Sequence, residues 1–499
     1  MKVIFVAMGS EIISLEALSA MLKKYGHQTQ LAFDRALFDD KQYITVPFLA
    51  KIFDQKKEVI KKILESNPGL IGFSVFADNY QWCLSIAREV KKMTNAPIIF
   101  GGIHPTSVPE KVIAEDCVDI ICLGEGEYPL LELVESIKKG KIDYGIQNLW
   151  FKKNGAVIKN PIRTLIENLD DLPMIDKELF EKVVPIKEYY LTVTSKGCIY
   201  ACSYCSQNFL KEWEKGKGRF LREKSVDCLL NELKIMKERY NFKRVDIKNN
   251  VLSGSKKWTL EFLNRYKEEI GVPFRIMGHP KTIDNEVAHA LKDAGCWHVQ
   301  LGVETLNEKL RKEILLRNET NYDIFTTLNA MDREGLHYSI DLMIGLPGEQ
   351  DEDIIYAIRS FVKLRYLTRI SVFWLEYLPR LAITRIAREK GIINDSKIIE
   401  IEEGRQEHYL STGSVREQEK QKKLKNYQLM FRIIPITPES FINFILKHNL
   451  YIAFRFMPQT IILILVDVIV SFIKRDYWAI YAMQSYVWEI KRRFMLKFK

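Results

Sequence analysis

The chain has 499 residues, which exceeds what one hydrophobic core usually serves and suggests about three domains. With 47% hydrophobic and 28% charged residues, its composition is that of an ordinary soluble globular protein and argues against a disordered or fibrous chain. The formal net charge is +10, and the apolar run from Met1 to Ala7 reaches Gly9 without a cleavage-like site. We therefore expect a cytoplasmic protein without a secretory signal peptide.

The first 140 residues alternate short apolar runs with helical patterns, which predicts an α/β domain of the Rossmann or flavodoxin-like type with a parallel sheet. Strands are predicted at Val3 to Ala7, Thr29 to Phe33, Leu70 to Val75, Pro97 to Gly102 and Asp119 to Gly124. Ligands of such sheets lie beyond the carboxyl ends of the strands. In this chain those ends carry small or polar residues, namely Ser74, Gly101, Gly102, His104, Thr106, Gly124, Glu125, Gly126 and Glu127.

Glycines at these strand ends let the backbone approach a large ligand closely. No Gly-x-Gly-x-x-Gly follows the first strand, so a nicotinamide or flavin dinucleotide is not expected here. Taken alone, the loops also fit a domain that serves only as a scaffold. The carboxyl edge of the sheet therefore predicts either a binding site for a ligand other than a dinucleotide or no binding site.

Residues 141–185 read as a linker. Asn154-Gly155 predicts a small hairpin, and the segment 168–176 contains Pro173, which makes a helix there unlikely. From residue 186 to about 395 the chain returns to strand-helix units, with strands expected before Cys198 and at 244–247, 274–277, 298–303, 338–344 and 370–375. Six such units predict a partial (β/α)6 barrel, with its chemistry at the carboxyl ends of the strands.

Three of the eight cysteines, Cys198, Cys202 and Cys205, fall within eight residues. Thiols this close in sequence are expected to bind one common metal group. A structural zinc site needs four ligands, whereas an iron-sulfur cube held by three thiolates keeps one iron open for a substrate or cofactor. Zinc with a distant fourth ligand and a chance cluster of buried residues are the alternatives. The other five cysteines are expected to be reduced core residues.

The spacing Cys-x3-Cys-x2-Cys, with Tyr204 before the last cysteine, resembles the signature of the radical S-adenosylmethionine (SAM) superfamily. The resemblance implies that Cys198, Cys202 and Cys205 hold a 4Fe-4S cluster whose open iron binds SAM. In that family an electron from the cluster splits SAM to a 5'-deoxyadenosyl radical.

The resemblance also implies SAM contacts further along the chain. Tyr204 would lie against the adenine, Glu304 near the amino group or ribose, and Arg317 on the carboxylate, while Ile344 and Leu346 would run along the adenine. Each charged residue alone also fits a solvated surface position. His279 and Asn249 are weaker candidates for substrate contact, because 246–251 departs from the paired acids of relatives and His279-Pro280 also fits a structural turn.

Ahead of such a signature, the first domain resembles the cobalamin-binding domain of B12-dependent radical SAM proteins, which share its Gly-Gly-x-His-Pro-Thr and Gly-Glu-Gly-Glu loops. The resemblance implies that the strand-end residues named above bind cobalamin. None of the eight histidines lies in an Asp-x-His-x-x-Gly loop, so we expect no protein histidine ligand to cobalt. His104 is the candidate exception, against a turn position or a contact with the corrin edge.

Residues 396–499 form a C-terminal helical region, with a charged helix predicted from about 395 to 425. Residues 441–499 then hold nine Lys or Arg against three acids, interleaved with aromatic residues. The apolar run 461–473 is shorter than the ~20 residues that span a bilayer. Four roles fit this region: a helical cap on the barrel, a helix lying in a membrane interface, a single-pass anchor and a nucleic-acid contact. The last two are disfavoured.

These features predict a cobalamin-dependent radical SAM enzyme that methylates an unactivated carbon of a lipid-like or other small molecule. One alternative is an oxidative cyclase that forms rings without methyl transfer. Another, from a different class, is a non-catalytic iron-sulfur and corrinoid carrier or sensor. An external electron donor such as ferredoxin or flavodoxin is expected, nucleic acid is not, and contact with the inner membrane surface would come through 441–499.

Overall fold

The computed structural model describes residues 1–39, 46–406, 413–456 and 459–497. The chain divides into two compact units. The first comprises residues 1–185, 204–222 and 377–406, and the second comprises 186–203, 223–376 and the described residues beyond 412.

The first unit is built on one seven-stranded sheet in the order β2-β1-β3-β4-β5-β6-β7. Its strands are β1 (Lys2–Met8), β2 (Gln28–Asp34), β3 (Leu70–Ser74), β4 (Ile98–Gly101), β5 (Ile120–Cys122), β6 (Leu149–Lys153) and β7 (Ala156–Lys159). The helices among them are α1 (Ile13–Lys24), α2 (Pro47–Ile52), α3 (Lys56–Ser66), α4 (Tyr80–Lys91), α5 (Ile103–Ser107), α6 (Pro109–Ala114) and α7 (Glu127–Lys138). The first five strands are parallel, and the last two join antiparallel.

Strands β3 and β5 are buried along their whole length and β4 everywhere but at Gly101, as expected for a parallel sheet with helices on both faces. All five strands predicted for this domain are confirmed. The predicted hairpin also forms, with Asn154 and Gly155 at φ 51° and 79°, and its two strands extend the sheet beyond residue 140. Two 3-10 turns follow in the linker, Leu169–Asp171 and Lys177–Leu179.

The second unit contains a six-stranded, all-parallel open sheet in the order β15-β14-β13-β12-β11-β8. Its strands are β8 (Tyr190–Thr192), β11 (Val245–Ile247), β12 (Phe274–Gly278), β13 (Cys296–Glu304), β14 (Tyr338–Ile344) and β15 (Leu367–Trp374), and the short strands β9 (Ser195–Lys196) and β10 (Arg222–Glu223) fall between the first two. The helices are α8 (Ser206–Trp213, in the first unit), α9 (Val226–Tyr240), α10 (Lys256–Glu269), α11 (Asn285–Asp293), α12 (Glu308–Glu313), α13 (Asn321–Glu334) and α14 (Asp351–Phe361). The six predicted barrel strands are confirmed.

One face of this sheet carries a row of polar side chains, one from each of four neighbouring strands. Arg275 Nε lies 3.2 Å from an Asp246 carboxylate oxygen, and Arg275 Nη2 donates to Gln300 Oε1 at 2.5 Å. Gln300 Nε2 in turn donates to Asp341 Oδ2 at 2.6 Å. We call these four residues the polar row. It crosses β11, β12, β13 and β14 where a barrel usually packs branched apolar residues.

Among the described residues, six helices follow the barrel: α15 (Ala382–Glu389) and α16 (Asp395–Glu402) in the first unit, and α17 (Gln418–Ile433), α18 (Glu439–Lys447), α19 (Gln459–Ile473) and α20 (Tyr477–Lys497) in the second. Two 3-10 turns, Ile434–Ile436 and Leu450–Phe456, lie among them. The single charged helix predicted from 395 to 425 is wrong. α16 stops just before Gly404, which adopts φ 63°, and α17 belongs to the other unit; residues 407–412 of that prediction lie outside the described residues. Within the described ranges, no helix is long and apolar enough to cross a bilayer.

Candidate active site

The three clustered cysteines lie between β9 and the start of α8. Cys198 is buried, Cys202 and Cys205 are half-buried, and Cys205 occupies the N-cap position of α8. All eight cysteines of the chain are among the described residues, and none forms a disulfide. Cys198, Cys202 and Cys205 are thus free cysteines, the residue type whose thiolates ligate iron-sulfur clusters.

Metal binding by this loop rests on its donor chemistry. Three thiols within eight residues fit an iron-sulfur cluster, whose usual ligands are cysteine thiolates. In the described part of the chain, no three His, Cys, Asp or Glu side chains converge closely enough to hold a metal ion. The ligand roles of Cys198, Cys202 and Cys205 are thus supported by residue type and spacing and not by a preformed triad.

The backbone that leads into the cysteines is fixed by Asn249. Its Oδ1 accepts a hydrogen bond from Thr194 N at 2.6 Å, and its Nδ2 donates to Ser195 Oγ at 2.7 Å. Thr194 Oγ1 also donates to the Leu252 carbonyl at 2.7 Å. Asn249 was predicted to face substrate, but its amide is engaged in positioning the segment before the cysteines.

Ser203, between the second and third cysteines, ties the loop to the segment before Arg317. Its backbone N donates to the Leu315 carbonyl at 2.9 Å, and its Oγ donates to the Ile314 carbonyl at 2.6 Å. Ser203 is completely buried, so these bonds are shielded from water. The cysteine loop and the segment that ends in Arg317 are therefore held as one piece.

Tyr200, inside the cysteine loop, stacks on His279 with ring centroids 3.7 Å apart. His279 Nδ1 accepts from the backbone N of Lys281 at 3.2 Å, so its proton lies on Nε2, 3.6 Å from a Glu319 carboxylate oxygen. Burial, aided by nearby Arg317, lowers the pKa of His279 to about 2 and keeps the imidazole neutral. Burial also raises the pKa of the Tyr200 hydroxyl. His279, predicted to face substrate, packs instead against the cysteine loop.

Glu304 and Arg317, predicted to bind SAM, form a buried ion pair. Arg317 Nη1 lies 3.3 Å from Glu304 Oε1, and Nη2 donates to the Gly302 carbonyl at 2.8 Å. Glu304 ends β13 at a register shift and adopts φ 66°, a conformation that is costly for a residue with a Cβ and is often found at functional sites. The pair presents a carboxylate and a guanidinium side by side, which matches the amino and carboxylate groups of an amino acid.

Two further residues of this site were missed by the sequence analysis. Glu319 accepts a hydrogen bond from Arg317 Nε, and the fully buried Arg311 donates to the Thr305 carbonyl and, through Nη1, to the Glu319 carbonyl at 2.6 Å. Together they hold both ends of the segment that carries Arg317. Only their order along the chain, a helical Arg followed by an Arg-x-Glu, could have indicated them.

Ile344, the last residue of β14, and Leu346, in the turn that follows, were predicted to lie along the adenine. Both side chains are buried, so only the backbone of this turn is available to a ligand. Glu349 Oε2 accepts from the Gly345 backbone N at 2.7 Å, and burial raises the pKa of Glu349 to about 8. Tyr204, the remaining residue predicted to bind SAM, is half-buried in the first unit.

The predicted cobalamin edge lies in the first unit, at the carboxyl ends of β3, β4 and β5. Gly102 adopts φ 112°, and a Cβ there would meet the Val75 carbonyl oxygen at 2.8 Å, so only glycine fits. Thr106 Oγ1 donates to the Gly102 carbonyl at 2.8 Å and accepts from Gly124 N at 3.1 Å. The loops after β4 and β5 are therefore joined, and Gly101, Gly102 and Gly126 are half-buried along them.

The remaining polar residues of this edge serve the fold. Glu125 accepts from Arg222 Nη1 at 2.9 Å and from the Ile166 backbone N at 3.0 Å, while Ser74 and Glu127 are buried. His104 is 1% exposed with its ring 4.3 Å from that of Tyr80, so its imidazole does not face the open edge. Burial lowers its pKa to about 4. These contacts fit a cobalamin held without a histidine from this loop.

Phe76, two residues after the end of β3, was missed by the sequence analysis. The residue is 41% exposed, and its backbone N donates to the Asn79 side chain at 2.8 Å. Asn79 also donates to the Ser74 carbonyl, which fixes the turn. An exposed aromatic ring beside close-approach glycines is a surface that suits a large flat macrocycle. The aromatic residue at a strand end was the available signal.

Two family models match the chain: "B12 binding domain" over residues 8–134 and "Radical SAM superfamily" over residues 192–361. The chain is 28% identical over 319 residues to "Uncharacterized methyltransferase PH0819" of Pyrococcus horikoshii, covering 62% of this chain and 67% of that protein. It is 24% identical over 312 residues to the anaerobic magnesium-protoporphyrin IX monomethyl ester cyclase of Rubrivivax gelatinosus, covering 60% of this chain and 54% of the cyclase.

Among solved structures, the radical SAM methyltransferase TsrM from Kitasatospora setae, with cobalamin and a 4Fe-4S cluster bound, is similar with a TM-score of 0.60 at 18% identity. The match covers 78% of this chain and 75% of TsrM and confirms the fold expected from the sequence. The cofactors expected for these two domains are cobalamin, SAM and an iron-sulfur cluster. The chain is an enzyme of the radical SAM superfamily with an N-terminal B12-binding domain.

Proposed function

We propose that this enzyme transfers a methyl group to an unactivated carbon of a lipid-like or other small-molecule substrate. The observation that carries the proposal is the buried Glu304–Arg317 pair, tied through Ser203 to the cysteine loop in a chain that also matches a B12 binding domain. When bound, the three cofactors supply radical formation and the methyl group. The protein's share is binding, orientation and exclusion of water.

In this proposal Cys198, Cys202 and Cys205 hold the cluster. Arg317 binds the SAM carboxylate and Glu304 its amino group, because a guanidinium and a carboxylate are the complementary partners for a zwitterion. Arg311 and Glu319 keep Arg317 in place. Tyr204 and the backbone of 344–346 contact the adenine.

Cobalamin occupies the carboxyl edge of the first sheet in this proposal. The contacts come from the loops after β3, β4 and β5, with the apolar ring of Phe76 against the corrin. Gly101, Gly102, Gly124 and Gly126 let the backbone approach, and no histidine of the chain binds cobalt. The domain division 1–140, 141–185, 186–395 and 396–499 belongs to the same proposal.

The test uses protein reconstituted anaerobically with iron, sulfide and cobalamin and supplied with a one-electron reductant such as dithionite. Extracts of small molecules and lipids from cells that lack the gene serve as the source of substrate. SAM labelled in its methyl group with deuterium should yield 5'-deoxyadenosine and a product heavier by one labelled methyl group. Arg317→Met should abolish both products while leaving the iron content unchanged. 5'-Deoxyadenosine without any methylated product would reject methyl transfer.

An oxidative cyclase is the second candidate, favoured by the similarity to the Rubrivivax cyclase. It predicts a product of unchanged methyl count that has lost hydrogen or gained oxygen. A carrier or sensor would bind cluster and cobalamin without cleaving SAM, and the Glu304–Arg317 pair argues against it because a carrier has no use for a zwitterion site.

We also propose an external one-electron donor such as ferredoxin or flavodoxin, and a cytoplasmic enzyme that touches the inner face of the membrane through residues 441–499. Support for the membrane contact is the excess of cations over acids in this segment.

A further inference from the structure

We infer that the outward face of α19 is a docking surface for an anionic lipid bilayer, which the helix enters lying flat. The inference deepens the proposed membrane contact and rests on it, but it is independent of the reaction that the barrel performs. We call the surface the α19 face and define it by Leu465, Ile469, Phe472 and Ile473.

The α19 face is a continuous apolar stripe. Its four side chains are 55%, 51%, 62% and 60% exposed, and their spacing of four, three and one residues places them on one side of a helix. The other side is docked, because Val470 and Ser471 are buried. Four large apolar side chains left together in water mark an interaction site more often than four scattered ones.

The charge around the stripe is positive. Lys474 and Arg475 follow its last residue, and neither forms an ion pair with any residue in the described part of the chain. Tyr477, two residues later, packs its ring against Trp297 and the Arg244 guanidinium and is not part of the stripe. An apolar stripe that ends in cations matches the composition of an interfacial helix.

The acids of residues 441–499 do not offset this charge. Asp467 pairs with Arg432 at 3.2 Å, Asp476 is buried 3.2 Å from Arg369, and the buried Glu489 binds two neighbouring arginines. The negative charges are thus used inside the fold. An anionic lipid surface supplies the missing counter-charge over the same area as the apolar contact.

A second copy of the chain fits this face less well. Two α19 faces packed together would bring Lys474 and Arg475 of both copies into one interface, while the three acids of residues 441–499 already pair with arginines of their own chain. The stacked ring pair Phe441 and Phe444 on α18 is also exposed and is followed by Lys447, which repeats the same composition. The repetition of apolar rings and cations favours an extended anionic surface over a single protein partner.

The test is co-sedimentation of the full-length, cofactor-loaded protein with vesicles of phosphatidylcholine, with or without one third phosphatidylglycerol. We expect binding to the anionic vesicles that weakens as salt is raised. Leu465→Gln/Phe472→Gln should lower the partition coefficient at least tenfold, because two inserted side chains are replaced by polar ones. Lys474→Gln/Arg475→Gln should lower it by about fivefold per cation on anionic vesicles only.

The matched control is Tyr322→Gln/Tyr356→Gln, which removes two exposed aromatic rings from α13 and α14. It should bind vesicles as the unaltered protein does. Circular dichroism and iron and cobalt content verify that each variant is folded. No vesicle binding, equal loss in the control, or a dimer in solution that only the α19 variants dissolve would each overturn the inference.

5'-Deoxyadenosine formation, measured on the same samples without vesicles, separates this inference from the proposed chemistry. If the unaltered protein cleaves SAM but does not bind vesicles, the inference about the docking surface fails and the proposed reaction stands. Vesicle binding with no SAM cleavage identifies a failure of the proposed reaction and leaves the docking surface standing.

Discussion

Arg317 is a residue on which several contacts of the site converge. Its guanidinium reaches Glu304, Glu319 and the Gly302 carbonyl at once, which only a planar group with five donors can do. We predict that Arg317→Lys lowers the affinity of the reconstituted protein for SAM about tenfold or more, because an ammonium keeps the charge but loses the fork. Equilibrium binding of labelled SAM measures this. Arg385→Lys on the exposed side of α15 is the control, and unchanged binding in Arg317→Lys would contradict the role.

Glu349 should make stability depend on pH near neutrality. Burial raises the pKa of its carboxyl from 4.5 to about 8, so between these values the folded protein keeps a proton that the unfolded chain releases. The free energy of unfolding should therefore fall as pH rises through this window, with an upper limit of about 1.4 kcal/mol per pH unit. The actual slope should be smaller than this limit, because the side chain is half-buried and partly screened by solvent.

Glu349→Gln keeps an acceptor for the Gly345 N–H but has no proton to lose. Its melting temperature should be flatter between about pH 5 and 8 than that of the parent. Glu352→Gln, exposed on the first turn of α14, is the control and should follow the parent. Parallel curves for Glu349→Gln and the parent would show that this carboxyl is ionised throughout.

At this scale the sequence predicted residue types better than contacts. Glu304 and Arg317 could be found because a carboxylate at a strand end and a later arginine occur in the order known for radical SAM proteins. Arg311 and Glu319 could not, because most such charges are solvated and nothing local indicates burial. Asn249 and His279 were placed at strand ends correctly, but a hydrogen bond to a distant loop has no signature in one sequence.

At the scale of elements, the polar row is the feature that distinguishes this sheet. Arg275 and Asp246 are both 1% exposed, so either charge without the other would be buried and uncompensated. We predict that Arg275→Met destabilises the fold by about 3–5 kcal/mol, whereas Asp246→Leu/Arg275→Met recovers most of that loss. Thermal unfolding of the cofactor-free protein measures both. If Asp246→Leu/Arg275→Met were as unstable as Arg275→Met, the destabilisation would not come from leaving Asp246 as an uncompensated buried charge.

The elements themselves were largely predictable. Strands β1, β3, β4 and β5 of the first sheet are nearly continuous apolar runs, because parallel strands are covered on both faces. The failure at 395–425 has a physical cause. Most residues there are good helix formers, but Gly404 and the segment Ser411-Thr412-Gly413-Ser414 interrupt them, and α16 and α17 belong to different units.

At the scale of the whole molecule, the two cofactor regions are built from different sets of contacts. The glycine loops of the first unit are joined to each other through Thr106 and to the linker through Glu125. The segment that leads into the cysteine loop is held by Asn249, and Ser203 anchors the middle of that loop. Loss of one site should therefore leave the other intact.

We predict that Cys198→Ala/Cys202→Ala/Cys205→Ala abolishes iron, sulfide and the cluster's visible absorbance while the protein retains cobalamin at the parent's stoichiometry. Gly102→Val should lower the bound cobalamin while leaving iron, sulfide and the cluster's absorbance unchanged. A Cβ at this position meets the Val75 carbonyl at 2.8 Å and displaces the loop that the corrin would lie on. Metal analysis and corrinoid absorbance of both variants decide this. If removing the cysteines also released cobalamin, the two sites would have to be coupled through contacts other than those named here, and the loops of the first unit would be insufficient to hold it.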